Sequence, residues 1–81
     1  EYLDNLFLEQ NKLCALTGLD LSFDADPSGN YQTASLDRID SSIGYEQGNV
    51  QWVYKDINMM KKDMDQKDFI ELCKKIAQYR S

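Results

Sequence analysis

Residues 36–61 read LDRIDSSIGYEQGNVQWVYKDINMMK, and their pattern decides the fold. Ala34 to Ile39 forms an extended segment that ends at Asp40. Ser41 to Asn49 is a loop punctuated by Gly44 and Gly48. Val50-Gln51-Trp52-Val53 is the returning strand, a run of β-branched and aromatic residues. After it the apolar period changes from two to about 3.6. Ile57, Met60 and Met64 then form one apolar stripe, with Asn58, Lys61 and Lys62 on other faces. The expected unit is a β-hairpin with a helix packed over it.

Outward from this unit, Leu3, Leu6 and Phe7 lie at helical spacing with Asp4 and Glu9 facing out, a short amphipathic helix over 2–12. Cys14-Ala15-Leu16 and Leu21-Ser22-Phe23 flank a Gly turn and are expected as two short strands. Residues 24–33, DADPSGNYQT, are a loop by composition. Asp65 is the expected N-cap of a last helix. In that helix Phe69, Leu72, Cys73, Ile76 and Ala77 repeat at i, i+3, i+4, i+7 and i+8. The fold class is therefore α+β: a hairpin-plus-helix core at about 34–63, flanked by N- and C-terminal helices, in a single domain spanning 1–81.

A chain of 81 residues can bury one small core and not two. No run approaches the roughly 18 apolar residues that span a bilayer, and no secretory leader pattern opens the chain, so an intracellular, cytoplasmic location is expected. The chain opens on Glu1 rather than Met, which leaves open whether it is a trimmed or excised part of a longer protein. Its net charge of −5 argues against indiscriminate nucleic-acid binding. The charge is uneven. Residues 1–46 carry two bases against nine acids, and residues 47–81 carry seven bases against five acids. A phosphate-facing surface is expected on the C-terminal half. There is no histidine, and two cysteines are too few for a disulfide scaffold or a cysteine-based zinc site.

Hairpin and helix together suit a small metal-dependent phosphodiesterase site, in which the hairpin fixes a carboxylate and the helix returns a polar side chain to face it. Leu-Asp-X-Ile-Asp, Gly-Tyr, Gly-Asn-Val and Ile-Asn-X-X-Lys follow one another in ASLDRIDSSIGYEQGNVQWVYKDINMMKKD at 34–63. In that order and spacing they resemble the ββα-metal core of the HNH endonucleases, in particular phage-type and homing-type members. The likeness runs over about residues 13–76.

The resemblance implies a divalent-metal-dependent DNA endonuclease that nicks or cuts by hydrolysis. Asp37 takes the position of the metal-binding acid and Asn58 that of the second protein ligand. One Mg²⁺ or Mn²⁺ suits such an oxygen donor set. Asn49 matches the central Asn that braces the hairpin loop. Lys61 falls where members carry a lysine near the scissile phosphate, and Lys62 and Lys55 extend the expected nucleic-acid contact. Arg38 stands where the family has its general-base histidine. An arginine cannot serve as an ordinary base near neutral pH, but it can hold a phosphate oxygen or stabilise growing charge. The base would then be metal-activated water, a tyrosine such as Tyr45 or Tyr54, or bulk solvent. Many relatives tie the hairpin with two CxxC pairs. Here these positions are Cys14, Thr17, Tyr54 and Ile57, so no structural zinc is expected.

Each residue also has a plain structural reading: strand-end charges for Asp37 and Arg38, turn chemistry for Asn49, a surface amide for Asn58, a solvated face for Lys61 and Lys62, and core for Trp52. Two further functions stay open, a catalytically degenerate HNH-like nucleic-acid-binding module and an acidic protein-interaction domain. The expected partner is DNA, not a membrane, with the chain acting as a homodimer or within a larger parent protein.

Overall fold

The computed structural model describes residues 1–23 and 32–81. Three helices and one two-stranded antiparallel sheet follow in the order α1 (Tyr2–Glu9), β1 (Ala34–Arg38), β2 (Val50–Tyr54), α2 (Lys55–Lys61) and α3 (Gln66–Arg80). This is the α+β hairpin-plus-helix architecture read from the sequence, with a helix at either end. Most of the 24–33 loop lies outside the described residues.

β1 and β2 pair in the register Ala34↔Tyr54, Leu36↔Trp52, Asp37↔Gln51 and Arg38↔Val50. Strand side chains alternate between faces, and directly opposed residues share a face. Ser35, Asp37, Gln51 and Val53 therefore point one way, and Ala34, Leu36, Arg38, Val50, Trp52 and Tyr54 the other.

The main apolar cluster joins Phe7, Cys14, Leu21, Ala34 and Val53, with Leu16, Trp52 and Tyr54 packed against it. Trp52 is core, as its apolar surroundings suggested. Its ring meets Phe7 and Phe23 edge-on, and its indole N–H donates to Leu3 O at 3.0 Å. α1 ends where Asn11 and Lys12 take positive φ. At the C-cap the Gln10 amide lies along β2, with Oε1 accepting Trp52 N–H at 2.9 Å and Nε2 donating to Trp52 O at 3.0 Å. Ala15 N–H also donates to Trp52 O, and Tyr54 N–H to Cys14 Sγ at 3.2 Å.

Three expectations about local structure need correction. The two strands around Gly18 reduce to a tight turn with one isolated bridge, Leu13↔Asp20. Cys14 O accepts Gly18 N–H at 2.9 Å, and Gly18 sits at φ +76, where a residue with a Cβ is strained. In α2 the buried residue is Lys61, while Met60 is 57% exposed. The reason is that α2 covers the sheet face carrying Ser35, Asp37 and Gln51, so its inward positions meet polar partners. In α3 only Phe69 of the apolar stripe is buried, and Leu72 and Ile76 stand exposed. The helix runs 15 residues past a small hairpin and outreaches the surface available to cover it. Asp65 is the N-cap residue, but its side chain makes no capping bond.

Candidate functional site

Asp37, the penultimate residue of β1, points toward α2 and is 3% exposed. A carboxylate so far from water requires partners. Its Oδ1 takes the Lys61 ammonium at 3.1 Å, and its Oδ2 accepts Gln51 Nε2 at 2.9 Å from the directly opposed residue of β2. Lys61 is 1% exposed and also donates to Arg38 O at 2.8 Å. Gln51 Nε2 reaches on to Gln66 Oε1 at 2.8 Å, which ties the first residue of α3 to the same network. Removing one partner of such a buried pair costs about 3–5 kcal/mol, because the other charge is left uncompensated.

Asn58 and Lys61 are one helical turn apart on α2, so they cover one strip of the sheet face. Asn58 Nδ2 donates to Ser35 Oγ at 2.6 Å and to Leu36 O at 3.1 Å. The Asn58 Oδ1 accepts nothing from the described residues. Asn58 therefore contacts the sheet face that carries Asp37, two residues along β1 at Ser35.

The oxygens of Asp37 and Asn58 are the right kind of donor for a hard divalent cation. Asp37 has two of its roughly four lone-pair directions in use. Asp37 Oδ1, one of these oxygens, is already held by the Lys61 ammonium. Among the described residues no group of three or more His, Cys, Asp or Glu side chains is placed to hold a metal. Water and phosphate would have to complete the shell around these two ligands.

Asn49 makes the densest set of loop contacts. Its Oδ1 accepts Asp40 N–H at 2.9 Å, and its Nδ2 lies within 2.9–3.3 Å of Asp40 O, Ile43 O and Gly44 O. The side chain is buried. It closes the connection that leaves β1 immediately after Asp37 and Arg38. Tyr2 Oη, from α1, adds a bond from Gly48 N–H at 3.0 Å, and Gly48 itself needs φ +88. Within this loop the Ser42 hydroxyl and N–H hold the Asp40 carboxyl below its ordinary value.

Arg38 emerges at the end of β1 with its guanidinium at the rim. Nη1 donates to Ser41 O at 3.0 Å, Nη2 lies 3.8 Å from the exposed Asp63 carboxylate, and the Tyr45 ring sits 5.2 Å away. Of the two tyrosines considered as bases, Tyr45 lies beside Arg38. Tyr54 pairs with Ala34, four residues along the strand and so about 13 Å away.

Among the expected nucleic-acid contacts, Lys62 is exposed and Lys55 half-buried. Lys61 is turned inward and not presented on the surface, because Asp37 claims its charge. The sequence reading passed over Gln51 and Gln66. Gln51 carried a signal: it stands directly opposite Asp37 once the hairpin register is drawn, so it had to face the same way.

Of Cys14, Thr17, Tyr54 and Ile57, the first three meet at the Cys14 sulfur. Cys14 Sγ accepts N–H bonds from Thr17 at 3.4 Å and from Tyr54. Burial pushes this thiol up, but bonds from the Thr17 hydroxyl and from nearby backbone N–H groups outweigh it and leave the thiol below its ordinary value. Leu16, Ile57, Phe69, Ile70 and Cys73 line an apolar cleft alongside. Compared with known proteins, the chain matches no family model, no curated protein and no solved structure.

Proposed function

We propose that this domain is a divalent-metal-dependent DNA endonuclease of HNH type that nicks one strand by phosphodiester hydrolysis. The observation that supports the reading most is the bracing of the hairpin loop by Asn49, combined with the placement of Asp37 and Asn58 on one face under α2. A brace of this kind fixes the strand end from which both Asp37 and Arg38 project.

In this reading Asp37 and Asn58 hold the ion through oxygen. When bound, the ion supplies Lewis-acid stabilisation of charge on the phosphate. Arg38 is a fixed cation at the rim. Ser41 O uses one of its five N–H donors, which leaves others for phosphate oxygens. It contributes charge and not proton transfer, because its pKa is too high for it to serve as a base. The exposed Lys62 extends the positive rim. A single small site cuts one strand, so a double-strand break needs two copies or two successive nicks.

A second reading, a catalytically degenerate module that binds nucleic acid without cutting it, is favoured by the Lys61–Asp37 pair, which already neutralises the carboxylate.

Incubation with supercoiled plasmid in Mg²⁺, Mn²⁺ or EDTA tests the proposal. Nicked circles are expected with metal and none in EDTA, and Arg38→Ala should lower the rate about 10²–10³-fold, as removal of other charge-stabilising donors does. A folded wild-type domain that leaves plasmid and single-stranded DNA intact in both metals sinks the enzyme reading. Retained DNA binding that weakens steeply with salt would then identify the binding module. An active Arg38→His beside an inert wild type would point the same way.

A further inference from the structure

We infer that the exposed apolar stripe of α3 docks on the same stripe of a second copy of this chain, with the two helices antiparallel. The inference is independent of the endonuclease reading and concerns a face that reading does not use.

Phe69, Leu72, Ile76 and Tyr79 follow one another at spacings of three, four and three, the a and d pattern of a two-helix seam. Phe69 is held in the chain's own fold, but Leu72, Ile76 and Tyr79 are 48%, 55% and 86% exposed. The stripe thus leaves the domain's cover while the helix continues to Arg80. Single exposed apolar residues need no explanation, whereas a contiguous row on one helix face marks a surface for a partner.

The charges beside the stripe identify that partner. At about 100° per residue, Asp68 and Lys75 fall along one flank of the stripe, and Cys73 and Arg80 along the other. Asp68 and Lys75 are exposed, and neither has an ion-pair partner among the described residues. They stand about 10 Å apart along the helix, too far to pair with each other. Glu71 and Lys74, away from the stripe, do pair within the chain at 3.5 Å.

An antiparallel second α3 that sets Leu72 beside Ile76 of the other copy also sets Phe69 beside Tyr79. Asp68 of each copy then faces Lys75 of the other. The two-fold axis repeats this contact, so a single surface supplies two opposite-charge pairs. A parallel arrangement instead sets Lys75 against Arg80 of the other copy, two like charges. The charge pattern therefore selects the antiparallel copy. The seam is short for a stable interface, and the net charge of −5 on each chain opposes approach, so the pair is weak and dilute samples are monomeric.

Sedimentation equilibrium from about 10 µM to about 1 mM protein, in about 150 mM salt to screen all but close charge pairs, tests the inference. Circular dichroism confirms that each variant folds. Wild type is expected to dimerise with a dissociation constant on the order of 100 µM. Ile76→Asp, which puts a charge into the seam, is expected to weaken association at least about tenfold. Asp68→Lys and Lys75→Asp each make both charge pairs repulsive, and each alone is expected to weaken it at least about fivefold. Mixed one to one, these two variants are expected to associate with each other about as tightly as wild type does with itself, because each then carries the charge the other lacks. A wild type that stays monomeric at about 1 mM overturns the inference. So does a dimer that Ile76→Asp leaves unchanged, or a mixture no tighter than its single components, because the contact then uses another face or another direction.

Discussion

Asn49 carries the clearest consequence at the scale of single residues. Its amide serves one N–H and the carbonyls of Asp40, Ile43 and Gly44, in a loop whose own backbone bonds are few. Asn49→Ala leaves those groups to find water or remain unpaired, at about 1–3 kcal/mol for each one that stays buried. The expected loss is about 2–4 kcal/mol in urea unfolding, accompanied by loss of any cleavage. Unchanged stability with abolished activity would mean that Asn49 takes part in the chemistry and does not brace the loop. A pH effect belongs to Asp40, whose carboxyl is held below its ordinary value by the Ser42 hydroxyl and N–H. A depressed acid contributes stability that is present above its unfolded pKa of about 3.9 and is lost as pH falls through the lower folded value. Ser42→Ala should therefore flatten the acid limb of the stability curve below about pH 4 and leave stability near pH 7 reduced by no more than the same contribution. An unaltered acid limb would show that the Ser42 hydroxyl does not bias the ionisation of Asp40.

At the scale of elements, α3 divides into an anchored start and an exposed remainder. Phe69 is buried, and Gln66 joins the Asp37 network through Gln51. Ile76 is 55% and Tyr79 86% exposed. Phe69→Ala is expected to cost about 3–5 kcal/mol, in the range for an aromatic removed from a core. Ile76→Asp is expected to stay within about 0.5 kcal/mol. Thermal melts of the two variants check this, and a comparable loss from Ile76→Asp would mean that the far half of the helix packs against something in solution. The helix itself was legible because its apolar residues recur at helical spacing. Which of them find cover was not, since periodicity identifies a face but not the extent of what lies opposite. α2 misled for a related reason. Ile57 and Met60 fit an apolar stripe, but the sheet face beneath presents Asp37 and Gln51, and a polar surface selects Asn58 and Lys61 from the helix.

For the whole molecule, the hairpin and the flanking helices could be read from the strand–Gly loop–strand–helix pattern, whereas the register could not, because a loop as long as 41–49 does not fix which residues face each other. That Asn58 of α2 faces the sheet side carrying Asp37 followed from the same pattern. The Lys61 ion pair did not, because a lysine at the end of a short helix is on most grounds a surface residue, and only the burial of its partner draws it in.

The side chains that surround the two strands have one further effect. A ribbon of two strands has two outward edges, each with backbone groups able to recruit another chain. On one edge Gln10, Ala15 and Cys14 take up Trp52 N–H, Trp52 O and Tyr54 N–H. On the other, Asn58 and Lys61 cover Leu36 O and Arg38 O. These groups are thus taken up by side chains and by the Ala15 N–H, and the ribbon offers none of them to an incoming strand. The α2 residues that face the polar side of the sheet thus also occupy two acceptors along the free edge of β1.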